Sequence, residues 1–147
     1  MEAPERHMRR ALVLARESID AGNRPFGSVL VRGGTIIAEA RNTVYTDDDI
    51  TAHPELKLAR WAGRELNASE RRETTMYTST GPCEMCSGGI AQVELGGVTF
   101  SMAGREIASF LGREPGIPAA QILEPETTVS GPVLPEEGRS IHEGYWS

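Results

Sequence analysis

Two short segments of this chain contain the residue types of a hydrolytic metal site. His53 and Glu55 lie in the first segment, and Cys83 and Cys86 lie in the second, about thirty residues further on. One histidine and two cysteines give zinc three protein ligands and leave its fourth position open, which is typical of catalytic rather than structural sites. Glu55 is then a spare carboxylate that can serve as a general acid and base.

Two prolines indicate how these ligands are positioned. Pro82 is predicted to open a helix over 82–95 whose first turn carries both cysteines on one face. Pro54 is predicted to be the first residue of a helix over 54–66, with the histidine just outside it. The partial positive charge of a helix N-terminus favours thiolates, which are the form that binds metal.

The chemistry expected of this set is hydrolytic deamination. Zinc lowers the pKa of a bound water towards neutrality. Glu55 can take a proton from that water and pass it to a ring nitrogen and then to a departing amine, which leaves a carbonyl compound and ammonia. Two alternatives stay open: Cys83 and Cys86 form a redox pair, or the chain binds zinc without catalysis.

Beyond these residues, the chain resembles the zinc-dependent cytidine and nucleobase deaminase superfamily over roughly residues 5–111. The superfamily signature is His-x-Glu followed by Pro-Cys-x-x-Cys, and its glutamate is not a metal ligand. Further segments agree with the order of the family, and the resemblance is greatest to the guanine deaminase and tRNA adenosine deaminase branch. These segments are 24–31, 41–42, 51–53 and 75–79.

The resemblance implies a fold, a cofactor and an assembly. The fold is a three-layer α/β/α sandwich around a mixed five-stranded sheet, the cytidine deaminase-like fold. The cofactor is a single zinc ion per chain, held by His53, Cys83 and Cys86, with Glu55 as the catalytic proton shuttle. The assembly is a homodimer.

The resemblance also implies substrate-binding residues. Asn42 is the candidate for binding the base. Pro25 and Phe26 are candidates for a pocket wall on which a flat heterocycle stacks, although Phe26 could equally be plain core. Tyr145 and Trp146 either cap the pocket or dock on the core of their own domain.

Length and composition narrow the function. The 147 residues predict a single domain, 1–147, within which 124–147 forms a C-terminal arm. The net charge of −6 lacks the basic character of proteins that bind long nucleic acids, so a small-molecule heterocycle is the expected partner. Both cysteines belong to the site and must stay reduced. Since neither a secretory signal nor an apolar stretch of membrane-spanning length is evident, the expected location is the cytoplasm.

Hydrophobic periodicity and turn residues predict the remaining elements. A glycine-containing turn at 32–34 indicates a β-hairpin, and strands that alternate with helices after it predict the α/β/α layering. The predicted helices are 4–20, 105–111 and 136–146, and the predicted strands are 27–31, 35–40, 74–79 and 97–102. Residues 124–138 are rich in Pro, Glu and Gly and are predicted to form an extended arm or loop.

The motif determines the reaction better than the substrate. A guanine-like purine is the first candidate. Cytosine or cytidine is the second, and adenosine in tRNA is the third, although the acidic charge weighs against an RNA substrate.

Overall fold

A computed structural model describes residues 3–146, so that positions 1, 2 and 147 of the predicted domain lie outside the described residues. The chain begins with helix α1, Ala3–Asp20, which agrees with the prediction of 4–20. Met8, Leu12 and Ala15 are buried along one face of α1, as the helical spacing of these apolar residues requires.

A β-hairpin follows α1. Strands β1, Gly27–Arg32, and β2, Thr35–Arg41, pair antiparallel, and each ends within one residue of the predicted limit. Gly33 and Gly34 have φ angles of 59° and 78°, the left-handed conformation that two-residue hairpin turns require.

The four central elements carry the predicted site segments. Helix α2 is Pro54–Glu65, strand β3 is Thr74–Thr80, helix α4 is Glu84–Val93, and strand β4 is Gly97–Met102. Helix α4 is shorter than the predicted 82–95, and the prediction that Pro82 opens it is wrong.

The two ends of α4 have identifiable causes. Cys83 has extended backbone angles, φ −69° and ψ 174°, and is therefore the N-cap of α4, one residue after the proline. At the other end Glu94 adopts a left-handed conformation with φ 55°, which stops the helix before Leu95.

Three short elements were not predicted. Helix α3, Ala68–Arg72, starts with a capping box between Asn67 and Glu70. Helix α6, Ala119–Leu123, is a single turn, and strand β5, Thr128–Ser130, lies inside the segment that was predicted to be an extended arm or loop.

Two helices complete the chain, and both agree with the prediction within one residue. Helix α5 is Gly104–Leu111, and helix α7 is Pro135–Trp146. Within residues 3–146, no helix combines the length and the apolar character that a membrane-spanning segment needs.

The five strands form one mixed sheet in the order β2-β1-β3-β4-β5. Strand β3 pairs antiparallel with β1 and parallel with β4, and β4 pairs parallel with β5. The predicted three-layer α/β/α architecture is confirmed, because α1 and α7 cover one face of the sheet while α2 and α4 cover the other.

The alternation of side chains along the strands produces these layers. Leu30 and Met76 point to the α2 and α4 side and join the larger apolar core. Their neighbours Val29 and Tyr77 point to the opposite side, towards α1. Each helical layer thus packs on its own face of the sheet, and the site segments lie at the N-terminal ends of α2 and α4.

Candidate metal and substrate site

The first site segment lies at the start of α2. His53 is the N-cap with extended backbone angles, φ −87° and ψ 142°, and Pro54 occupies the first helical position, as predicted. Glu55 follows within the first turn of the helix and is buried. Because His53 lies outside the helix, its side chain and that of Glu55 are not constrained to the spacing of a helix interior.

The second site segment lies at the start of α4. Cys83 is the N-cap and is partly exposed, whereas Cys86 lies within the first turn and is fully buried. The carbonyl oxygen of Cys83 accepts a hydrogen bond of 2.8 Å from the backbone N–H of Ser87, which closes the first turn. The open N–H groups of this turn place partial positive charge beside both sulfur atoms.

The three predicted ligand atoms converge. His53 Nδ1 lies 3.7 Å from Cys83 Sγ and 3.5 Å from Cys86 Sγ, and all three atoms lie within 4.8 Å of one another. For Zn–S bonds of about 2.3 Å and a Zn–N bond of about 2.0–2.1 Å, tetrahedral geometry places the donor atoms about 3.5–3.8 Å apart. The donor set therefore fits one zinc ion.

Close packing of α2 on α4 brings these ligands together. A Cβ atom on Gly89 would lie 2.8 Å from Leu56 Cδ1 and 3.7 Å from Ala59 Cβ, so the glycine permits a close approach of the two helices. Its neighbour Gly88 has no such role, since a Cβ there would meet nothing within 4 Å.

Hydrogen bonds and burial shift the pKa values of the three proposed ligand side chains. Hydrogen bonding from Cys86 and His53 lowers the pKa of Cys83 to about 4, although burial opposes this shift. The same bond to Cys83 and burial raise the pKa of Cys86, and the Cys83 bond raises the pKa of His53. Since zinc binds thiolate and neutral imidazole, metal binding must release the remaining protons.

Glu55 is buried and lies near the negatively charged Cys83. Its side chain is 5% exposed, and burial raises its pKa to about 7. The negative charge of Cys83 contributes to that rise, whereas the backbone N–H of Glu55 and the charge of His53 oppose it. A carboxyl group with a pKa near the pH of the cell can both accept and donate a proton.

Comparison with protein families identifies this arrangement. Residues 1–102 match the cytidine and deoxycytidylate deaminase zinc-binding region. The chain belongs to this family. It is 45% identical to guanine deaminase of Bacillus subtilis (strain 168) over 87 residues. This aligned region covers 58% of this chain and 56% of that protein. It therefore spans just over half the length of that relative.

Two more members of the deaminase family are similar. The chloroplastic tRNA(adenine(34)) deaminase of Arabidopsis thaliana is 40% identical over 88 residues, which cover 60% of this chain and 7% of that protein. The structure of a guanine deaminase from Nitrosomonas europaea superposes with a TM-score of 0.84 at 21% identity, covering 99% of this chain and 86% of that one. This last likeness establishes the cytidine deaminase-like fold.

Asn42 lies directly after β2 and is buried, 1% exposed. Its side-chain oxygen accepts a 3.0 Å hydrogen bond from the backbone N–H of Val44. Its backbone N–H donates a 3.0 Å hydrogen bond to the carbonyl oxygen of Phe26. The hydroxyl oxygen of Ser18, also fully buried, lies 2.9 Å from the carbonyl oxygen of Asn42 and 2.6 Å from that of Arg24, so its single proton is shared between these two acceptors. These bonds hold the asparagine in one orientation.

Aromatic side chains of α7 contact one another and the ring of Phe26. The ring of Phe26 lies 5.4 Å from the ring of His142, Trp146 stacks on His142 at 6.5 Å, and Tyr145 meets Trp146 edge-on at 4.7 Å. We call these four rings the aromatic wall. Pro25, which precedes Phe26, is buried.

His142 connects α7 to the sheet, and the sequence analysis did not single it out. Its Nδ1 accepts a 3.0 Å hydrogen bond from the indole N–H of Trp146, which leaves Nε2 to donate to the Thr80 hydroxyl at 3.4 Å. Burial lowers its pKa to about 4, so the ring is neutral. Thr80 ends β3, three residues before Cys83, so this contact connects α7 to the segment of the cysteines.

Lys57 is a second residue that sequence analysis missed. Its ammonium group donates to the carbonyl oxygen of Arg41 at 3.0 Å and to the hydroxyl of Thr43. The helix of His53 is thereby tied to the loop of Asn42. A lysine one turn into a helix gives no sequence signal of such a role, because its acceptors come from a segment more than ten residues away.

Proposed function

We propose that this chain is a zinc-dependent hydrolytic deaminase that converts an aminated heterocycle into the oxo compound and ammonia. The observation that carries the proposal is the set of three donor atoms at the spacing of one zinc ion, next to the buried carboxyl group of Glu55. A guanine-like purine is the first candidate substrate, supported by the similarity to guanine deaminase.

His53, Cys83 and Cys86 would hold a single zinc ion per chain. Bound zinc supplies Lewis-acid activation of water at neutral pH. The buried position of Cys86 and the partly exposed position of Cys83 leave one side of the ligand set accessible.

Glu55 is the proposed catalytic residue. As a carboxylate it accepts a proton from the attacking water and donates this proton to a ring nitrogen. It then takes the second proton from the newly added hydroxyl group and donates it to the leaving amine. The net reaction consumes one water, breaks the C–N bond and releases ammonia. Burial supports this role, since a carboxyl group shielded from solvent water exchanges its proton with the substrate.

The proposed substrate contacts surround the ligand set. Asn42 is held by its backbone and by Val44, and its side-chain amide nitrogen, which makes no hydrogen bond with residues 3–146, is available to the base. Phe26 with Pro25, and Tyr145 with Trp146, are proposed to form the side on which the flat ring stacks.

Adenosine in tRNA is another candidate substrate, supported by the 40% identity to a tRNA deaminase. An RNA substrate needs Lys and Arg side chains around the pocket to contact phosphates. The net charge of −6 argues against it. A salt-dependent inhibition of ammonia release by added tRNA would favour this candidate.

We further propose a cytoplasmic homodimer. The need for reduced thiols at the ligand set supports a reducing compartment. Apolar side chains that are exposed in the single chain, such as Ile50, Met85 and Ile117, are available for contacts with a second copy. Light scattering on the purified protein would give the mass of a dimer, and a monomer mass at all concentrations would contradict it.

The proposed reaction is tested by ammonia release. Zinc-loaded protein is incubated with guanine, adenine, cytosine, their nucleosides and aminated pterins, next to Glu55→Gln. We expect release from one class of compound and loss of turnover by at least about 100-fold in the variant, which keeps its zinc. Activity that survives Glu55→Gln would disprove the proton-transfer role, and silence of the zinc-loaded wild type on every compound would contradict deamination of these rings.

A further inference from the structure

Arg24 lies at the edge of the proposed pocket, directly before Pro25. Its Nε donates a 3.2 Å hydrogen bond to the hydroxyl oxygen of Tyr45, and its guanidinium carbon lies 5.3 Å from the centre of the Tyr45 ring. The arginine is half-buried and the tyrosine is 55% exposed. The guanidinium group is therefore held from one side and reaches solvent on the other.

This cation has no counter-ion in the part of the chain that the structure describes. Several surface arginines form ion pairs with glutamates; among them are Arg10, Arg32 and Arg139. Arg24 forms none within residues 3–146, and only its Nε is used in a side-chain hydrogen bond. Four of its five N–H donors remain for a ligand.

Arg24 also acts electrostatically on α7. Burial raises the pKa of Tyr145, and the positive charge of Arg24 opposes this rise. This effect agrees with the position of Arg24 next to Tyr45 that the hydrogen bond shows.

Buried polar side chains fix the position of Arg24 relative to Asn42. The Ser18 hydroxyl lies 2.6 Å from the carbonyl oxygen of Arg24 and 2.9 Å from that of Asn42. Asn23, 1% exposed, accepts hydrogen bonds from the backbone N–H groups of Tyr45 and Thr46 at 3.0 and 3.1 Å. Hydrogen bonds therefore link the two loops that flank the proposed pocket.

We propose that Arg24 is a specificity residue that binds an oxyanion carried by the substrate, at a position remote from the departing amine. The inference rests on the proposed deaminase function. A guanidinium group whose Nε is engaged still presents its two terminal nitrogens, and these match the two oxygens of a carboxylate or a phosphate. The preferred heterocycle accordingly bears a carboxylate or a phosphate group.

The test compares matched pairs of neutral and anionic compounds. Pterin and pterin-6-carboxylate differ by a carboxylate, and guanosine and guanosine 5′-monophosphate differ by a phosphate. Turnover and equilibrium binding are measured with zinc-loaded wild type, Arg24→Gln and Arg16→Gln. The last variant is a matched control, since Arg16 is an exposed residue of α1.

In the wild type we expect higher kcat/KM and tighter binding for the anionic member of one pair. Arg24→Gln should lower kcat/KM for that member by about tenfold to a hundredfold and leave the neutral member within about twofold, as expected for loss of a charged hydrogen-bond donor. Tyr45→Phe, which removes only the hydroxyl that holds Nε, should give a smaller loss of the same selectivity. Arg16→Gln should retain the wild-type ratio.

Each outcome has one meaning. Selectivity confined to the pterin pair identifies a carboxylate, and selectivity confined to the guanosine pair identifies a phosphate. Equal kcat/KM and equal affinity of the wild type for both members of each pair would overturn the role of Arg24. An equal loss of kcat/KM for both members in Arg24→Gln would overturn it as well. If no compound releases ammonia, the proposed function fails, and the binding ratios still decide whether Arg24 selects anions.

Discussion

At the scale of single residues, the environment of Glu55 makes its protonation depend on the metal. Burial, with a smaller contribution from the charge of Cys83, raises its pKa to about 7, so that without metal a substantial part of the protein carries a neutral carboxyl group at neutral pH. A nearby dication favours the charged form of a carboxyl group. We therefore expect zinc at the three proposed ligands to favour the ionised, proton-accepting form of Glu55.

The ligand role of Cys86 gives a direct prediction. Cys86→Ala removes a fully buried donor atom, and we expect a loss of zinc affinity larger than the about 10–100-fold typical of losing an outer hydrogen-bond partner. Zinc per chain is measured by atomic emission after dialysis. Glu84→Gln is the control, because this exposed residue of the same segment should retain both zinc and turnover. Retention of one zinc per Cys86→Ala chain would refute the ligand assignment.

The sequence predicted the ligands and Glu55, because each motif is local and its spacing already limits the geometry. The contacts of Arg24, Lys57 and His142 were not predictable in this way. His142 meets Thr80 across 62 positions of the chain, and Arg24 meets Tyr45 across 21. Such partners are defined only by how the elements pack.

At the scale of elements, the contact between α1 and β1 positions the aromatic wall. A Cβ atom on Gly27 would lie 2.5 Å from the carbonyl oxygen of Ala11 and 2.6 Å from the backbone nitrogen of Ala15. Backbone atoms within a helix cannot move aside as a flexible side chain can. The first residue of β1 must therefore be glycine, and this also determines where Phe26 lies.

Gly27→Ala should consequently destabilise the fold. Overpacking typically costs about 1–3 kcal/mol, and a clash with backbone atoms belongs at the upper end of that range. Gly88→Ala is the matched control, because its new Cβ meets nothing within 4 Å and alanine is better than glycine in a helix by up to about 1 kcal/mol. The free energy of unfolding in urea should fall for the first variant and rise slightly for the second. Equal stabilities would refute the packing argument.

Most elements were predictable from periodicity and turn residues, and those that were not share a physical reason. Strand β5 has three residues, of which Thr128 and Ser130 are exposed and only Val129 faces the core. Three residues cannot display a period of two against flanking Pro and Gly. The strand forms because the free edge of β4 provides its hydrogen-bonding partners, and the sequence of the segment itself does not contain this information.

At the scale of the whole molecule, a buried neutral histidine makes stability depend on pH. The pKa of His142 is about 4 in the folded protein because of burial, against an ordinary value of 6.5. The folded state therefore binds this proton less readily than the unfolded state does. The contribution of the neutral ring is complete above pH 6.5 and is lost as the pH falls from 6.5 to 4, by about 3 kcal/mol in total.

The comparison with His142→Asn isolates this contribution. An asparagine side chain can still accept from the indole of Trp146 but does not titrate. Other groups, such as His7, whose pKa is also lowered by burial, are common to both proteins and cancel in the difference. The free energy of unfolding of the wild type should decrease relative to the variant between pH 6.5 and 4. Parallel curves over this interval would show that His142 is not held neutral.

The order of segments along the chain has a consequence for biosynthesis. All residues of the zinc and proton-transfer set lie between positions 53 and 86, whereas three rings of the aromatic wall belong to α7, which begins at Pro135. At a translation rate of about 5–20 residues per second, the ribosome adds the intervening stretch in about 2–10 s. The proposed zinc ligands and Glu55 are thus synthesised before α7, and we expect that zinc can bind to a nascent chain before the aromatic wall is in place.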